Sequence, residues 1–206
     1  MTVAEARKLL ASDLDVFWRA YCTLAVTLGL RPGELTGLMW EDVDPEAGVI
    51  RVRHSLKRTP DGLQALDLKT EASRRTLRMP ASWPGWAALR VQQAADRLAL
   101  GEAYEDHGLV FCTEAGGGRN RDHVRLQFAQ VCDWAGIRRF QPRETRHTYV
   151  SVRSDAGESI EDISAAVGHV NSSITKIVYW HVIRDEIATS PTAFDKILGG
   201  GQEATS

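Results

Sequence analysis

Four separated stretches of this chain combine residue types suited to phosphate chemistry. The first, Thr27-Leu28-Gly29-Leu30-Arg31-Pro32-Gly33-Glu34-Leu35, sets an arginine directly after an apolar run and a glycine. That is a helix junction, where backbone N–H groups already favour an anion. Glu34 lies close enough in sequence to orient the guanidinium, and the same two residues also fit a plain surface ion pair. The second, Leu68-Lys69-Thr70 followed by Ser73-Arg74-Arg75, places a lysine in a turn between two expected strands. A lysine at a hairpin tip can reach across a groove, or it can simply be solvated. The third, Pro142-Arg143-Glu144-Thr145-Arg146-His147-Thr148, puts two arginines three apart, on one face of a helix. Like charges so placed repel unless an anion lies between them or each finds its own carboxylate, and the planar guanidinium fork suits phosphate oxygens. The fourth runs Val167-Gly168-His169 and then Lys176-Ile177-Val178-Tyr179-Trp180-His181. Its histidine could equally cap a helix end, and its tyrosine could equally be a core aromatic.

The elements that must position these groups are legible in outline. Thr2 with Glu5 forms the pattern of a capping box and opens a helix to about Leu10. Asp13 is placed to cap the next helix, whose apolar residues Phe17, Tyr21, Leu24, Ala25 and Leu28 recur at helical spacing up to a terminator at Gly29. Pro32 suits the first turn of a short helix through Leu38. Val49 to Arg53, a segment ending at Leu66 and Leu68, and Thr76 to Met79 read as three short strands, with a turn at Pro60-Asp61-Gly62. Together they predict one small three-stranded antiparallel sheet. Helices are expected over about Trp83 to Leu100, Asp122 to Ala135, Pro142 to Ala156, Ile160 to Val167 and a segment through Tyr179. Past Pro191, Phe194, Ile197 and Leu198 form an apolar stripe on a short helix that must dock on something. The fold class is α+β, mainly α-helical: one domain over 1–198 with a disordered glycine-led tail at 199–206.

Bulk properties narrow the function. The chain has 206 residues, 43% of them apolar, and a net charge of −2. No run approaches the roughly 18 apolar residues of a membrane span, and the N-terminus does not read as a signal peptide, so a cytoplasmic, nucleoid-associated protein is expected. Cys22, Cys112 and Cys132 stand far apart among apolar neighbours, as buried free thiols do. With no Cys-x-x-Cys pair and no His-Glu-x-x-His run, no metal and no other cofactor is expected. Gly116-Gly117-Gly118 lacks the lysine of a nucleotide-binding loop. Net charge averages over a surface, whereas DNA feels a local patch. The basic residues do cluster, at Arg51 to Arg78, Arg119 to Arg125 and Arg138 to Arg146, and Lys57, Arg74, Arg75, Arg119 and Arg121 are the expected DNA contacts.

Gly-Leu-Arg-x-Gly-Glu-Leu early, Lys-Thr at a turn, Arg-His-Thr late, then Gly-His and Tyr-x-His, in that order from about Thr2 to Ile187, resembles the tyrosine recombinase family, and within it integrases that carry Pro-Arg-Glu-x-Arg-His in the third motif. The resemblance implies a DNA strand-exchange enzyme in which Arg31 and Arg146 grip the scissile phosphate. Lys69 would be the general acid, His169 a phosphate-contacting histidine, and Tyr179 the nucleophile that forms a 3′-phosphotyrosyl bond. Arg143 stands where the family more often has histidine. Arginine stays protonated and cannot readily act as a base, but it can bind phosphate. The resemblance also implies double-stranded DNA as partner, a monomer without DNA and a tetramer on paired sites, with Phe194, Ile197 and Leu198 as the face exchanged between subunits. It further implies an N-terminal helical clamp domain, for which the residues ahead of Thr2 leave no room. A non-catalytic DNA-binding remnant and a topoisomerase-like strand-passage enzyme are the alternatives.

Overall fold

The computed structural model describes residues 1–80, 83 and 85–168. His169, Tyr179 and the segment through it, the expected helix after Pro191 and the glycine-led tail all lie outside the described residues.

Helix α1 (Val3–Ala11) begins with the expected capping box: the Thr2 hydroxyl accepts from the Glu5 N–H at 3.2 Å, and the Glu5 carboxylate accepts from the Thr2 N–H at 2.7 Å. Helix α2 (Val16–Leu28) is capped by Asp15, whose carboxylate accepts from the Trp18 N–H. Asp13, the expected cap, lies outside the helix and pairs with Arg19. α2 ends at Gly29, which sits in the left-handed region at φ 59°. A Cβ there would lie 2.4 Å from the Tyr149 ring, so the stop is also the point of close approach to a later helix. Because α2 is apolar nearly all round, it runs through the centre of the molecule. Trp18, Tyr21, Leu24 and Leu28 are buried there with Phe111 and Phe128.

Helix α3 (Pro32–Thr36) follows after three residues, with proline in its first turn. Strands β1 (Val43–Asp44), β2 (Val49–Val52), β3 (His54–Thr59), β4 (Gly62–Asp67) and β5 (Arg75–Arg78) come next. The three-stranded antiparallel sheet is present, but its membership differs from expectation. It runs β1-β2-β5, while β4 pairs with β3 in a separate two-stranded ribbon. β3 reads Ser-Leu-Lys-Arg-Thr after His54 and lacks the period-2 alternation by which strands are recognised. It folds because Thr59 and Gly62 close a tight turn at Pro60-Asp61 and bring it against β4. Lys69 therefore stands not at a hairpin tip but on the link from ribbon to sheet, just before a 3₁₀ turn at Glu71–Ser73.

The remaining described elements are α4 (Gly85–Leu100), α5 (Arg121–Trp134), α6 (Glu144–Asp155) and α7 (Ile160–Val167). α6 and α7 share a second, small core of Tyr149, Val150, Ile163 and Val167. The described residues include no helix long and apolar enough to cross a membrane.

Candidate active site

The last turn of α7 leaves carbonyls without helical partners. Three consecutive ones are each taken by an arginine from a different part of the chain. Arg75 Nε donates to Ala166 O at 2.6 Å, Arg146 Nη2 to Val167 O at 2.6 Å, and Arg31 Nη2 to Gly168 O at 3.1 Å. The cations sit at the negative end of the helix dipole, where they are favoured. Arg146 Nη1 also donates to Gly29 O at 2.9 Å, which ties the α7 terminus to the α2 stop. Arg31 and Arg146, remote in sequence, are thus brought to one place at the Val167 and Gly168 carbonyls.

Their surroundings differ. The Arg146 residue is 7% exposed, whereas 40% of the Arg31 side chain is open to solvent. Arg31 is oriented by Glu34, as its spacing foretold: Nη1 donates to Glu34 Oε1 at 2.6 Å, and the Arg31 backbone N–H to Oε2 at 2.9 Å. Arg75 Nη2 donates to the other side of that carboxylate at 2.9 Å. Burial pushes the Glu34 carboxyl upward, but the charge and hydrogen bond of Arg75, with the N–H and charge of Arg31, outweigh it and hold it below the usual range. Arg75 was expected on the DNA-facing surface. Only 7% of its side chain is exposed, because β5 turns it inward onto the buried Glu34, where it is a second cation beside Arg31.

The other expected residues distribute as follows. Arg143 is exposed at the N-cap of α6, in helical backbone (φ −66°, ψ −24°), while Arg146, three residues on, is buried. It lines a cleft of about 370 Å³ with Lys57 and Arg58 of β3, Arg119, Arg121 and Arg125, and the start of α3 at Pro32 and Gly33. Arg119 is half-buried, its Nε on Cys112 O at 2.7 Å and its guanidinium 3.9 Å over the Phe17 ring. Arg74 is exposed and pairs with Asp67 at 3.1 Å. Lys69 is exposed. Arg58 and Arg125 belong to the basic clusters of the sequence but were not among the expected DNA contacts. Arg125 could have been, since it follows Arg121 by one helical turn on α5.

One group of described residues has the makings of a metal site: Glu41, Asp42 and His54 bring ligand atoms within 4.8 Å of one another. The acceptors are already in use. Arg53 Nε donates to Asp42, Arg53 Nη2 to Glu41 at 3.3 Å, and His54 Nδ1 lies 2.9 Å from Asp42. The cluster is an ion-pair network that fastens β3 to the turn before β1.

This layout is that of tyrosine recombinase catalytic domains. The structure resembles that of the Tn1549 transposon integrase in complex with transposon right end DNA, with a TM-score of 0.75 at 20% identity over 97% of this chain and 66% of that one. It also resembles XerA recombinase, with a TM-score of 0.68 at 17% identity over 98% of this chain and 65% of that one. The phage integrase family model matches residues 1–186, and the chain belongs to that family. It is 35% identical to an integrase of Streptomyces ambofaciens, over 98% of this chain and 54% of that protein. It is 31% identical to a XerC-like tyrosine recombinase of Caldanaerobacter subterraneus subsp. tengcongensis, over 80% of this chain and 46% of that protein. The chain thus spans about half the length of the curated relatives it matches.

Proposed function

We propose that this chain, over 1–198, is the catalytic domain of a site-specific DNA recombinase that breaks and rejoins double-stranded DNA through Tyr179. The observation that carries the reading is the convergence of Arg31 and Arg146 on the neighbouring carbonyls of Gly168 and Val167. A phosphodiester seated there meets two fixed guanidinium forks, and such preorganised charge favours the phosphorane-like transition state over the ground state. Arg143 and the basic cleft hold the flanking backbone.

The step balances without a cofactor. A free tyrosine ionises near ~10 and is a poor nucleophile at neutral pH, and the arginine cluster with His169 favours its phenolate. Tyr179 gives its phenol proton to solvent, its oxygen bonds to phosphorus as the P–O5′ bond breaks, and Lys69 gives a proton to the departing O5′. Attack by the 5′ hydroxyl of another strand reverses the sequence. The phosphotyrosyl link conserves the bond energy, so neither ATP nor a metal is called for. Lys69 stands on the link between ribbon and sheet, and on this reading it is the group that moves to the phosphate when DNA binds. The enzyme is proposed to be a monomer without DNA and a tetramer on paired sites, with the stripe of Phe194, Ile197 and Leu198 exchanged between subunits.

The test is covalent trapping. A duplex library with randomised flanks around a 5′-bridging phosphorothiolate releases a thiol that re-attacks poorly, so the adduct accumulates. A detergent-stable adduct that enriches particular sequences supports the enzyme. DNA retention without any adduct would make the chain a binding module instead.

A further inference from the structure

We propose that Arg75 is a positioning residue for Arg31, acting through Glu34 and the end of α7, and not a contact to DNA. This rests on the recombinase reading above. Arg75 Nη2 and Nη1 reach Glu34 Oε2 and Oε1 at 2.9 and 3.4 Å, Nη1 also reaches Ser73 O at 3.1 Å, and Nε reaches Ala166 O at 2.6 Å. Four of the five N–H donors of a guanidinium are thereby engaged inside the protein. Glu34, with 1% of its side chain exposed, is held from both sides. Without Arg75, the buried carboxylate has only Arg31 to compensate it and draws that guanidinium out of line with the reacting phosphorus, though not out of contact with the phosphate. Arg75 also grips Ala166, two residues before the Gly168 carbonyl that anchors Arg31 Nη2. Arg75 therefore holds directly the carboxylate that fixes one end of the Arg31 guanidinium, and holds the last turn of α7 just before the carbonyl that fixes the other.

The arrangement predicts a specific pattern. A displacement of about 1 Å at a reacting centre costs on the order of 10²-fold in rate. On a duplex recovered by covalent trapping, under saturating DNA and well below the melting temperature, Arg75→Met should slow single-turnover adduct formation by that order. DNA affinity and its salt dependence should be unchanged. Glu34→Gln should slow it similarly, and the double variant should be no slower than the slower single one, because both act along one chain of contacts. If Arg75→Met is too unstable to assay, Arg75→Lys keeps the charge, cannot span all three partners, and is read the same way. Weakened binding with a salt slope reduced by about one would make Arg75 a phosphate contact and overturn the proposal. An unchanged rate in the folded variant would make Arg75 purely architectural and overturn it equally. The Arg31 Nε–Hε NMR signal gives a readout that needs no DNA: one sharp, slowly exchanging resonance in the wild type, broadened in Arg75→Met. If the wild type forms no adduct, the recombinase reading fails while this signal still decides the Arg75 relay.

Discussion

At the scale of single residues, the site depends on which charges are buried. Glu34 is the clearest case, because Arg75 and Arg31 hold its carboxyl below the ordinary value of a glutamate despite its burial. The unfolded chain then binds the extra proton, so this contribution to stability is present above that value and is lost as pH falls through the folded one. Glu34→Gln should reduce stability at pH 7 and flatten the acid side of the stability curve, read as urea midpoints from about pH 6 down to pH 3. Identical curves for the two proteins would mean that Glu34 is not compensated as described. Lys69 supports a different expectation. Lys69→Ala should lose roughly 10²- to 10⁴-fold in cleavage when oxygen leaves. It should regain most of that loss with a bridging sulfur, since a thiol ionises near ~8.5 and needs no acid. Equal defects on both substrates would take the general acid elsewhere. Sequence reveals that Arg74 and Arg75 are cationic, but not which one is buried. Adjacent strand residues face opposite ways, and the choice depends on Glu34, forty-one positions earlier.

At the scale of elements, the parts legible in sequence were those with local chemistry at their ends. The Thr2–Glu5 box, the Gly29 stop, Pro32 and the bounds of α7 are all encoded within a turn or so of the boundary they set. β3 was not legible, because its residues carry no alternation and its partner strand is chosen by the turn after it. The split into sheet and ribbon has a steric marker at Gly37, where a Cβ would lie 2.4 Å from the Leu56 nitrogen and 2.7 Å from the Ser55 carbonyl carbon. These are backbone atoms and cannot rotate away. Gly37→Ala should push β3 off α3, cost roughly 1–3 kcal/mol, and displace Lys57 and Arg58 in the cleft. Thermal melting and DNA affinity should both fall, and an unchanged melting temperature would show that the ribbon yields freely.

At the scale of the whole molecule, a net charge of −2 coexists with a cleft bearing Lys57, Arg58, Arg119, Arg121, Arg125 and Arg143 and a single acid, Asp122. The segregation was only partly visible in sequence, since the cleft's basic residues come from three distant stretches that only the fold assembles. Neutralising Lys57, Arg58, Arg121 or Arg125 one at a time should weaken DNA binding across sequences and lower the slope of log affinity against log salt by about 1 each. An unaltered slope would remove that residue from the interface.

The central claim is that Tyr179 becomes bonded to DNA, and covalent trapping followed by peptide mass mapping tests it most directly. The wild-type chain, incubated with a phosphorothiolate duplex and digested, should yield a nucleotide-modified peptide carrying the added mass on Tyr179. Tyr179→Phe, which keeps the ring and loses only the hydroxyl, should yield no adduct while retaining DNA binding. An adduct that persists in Tyr179→Phe, or a modified peptide that does not contain Tyr179, would contradict the account.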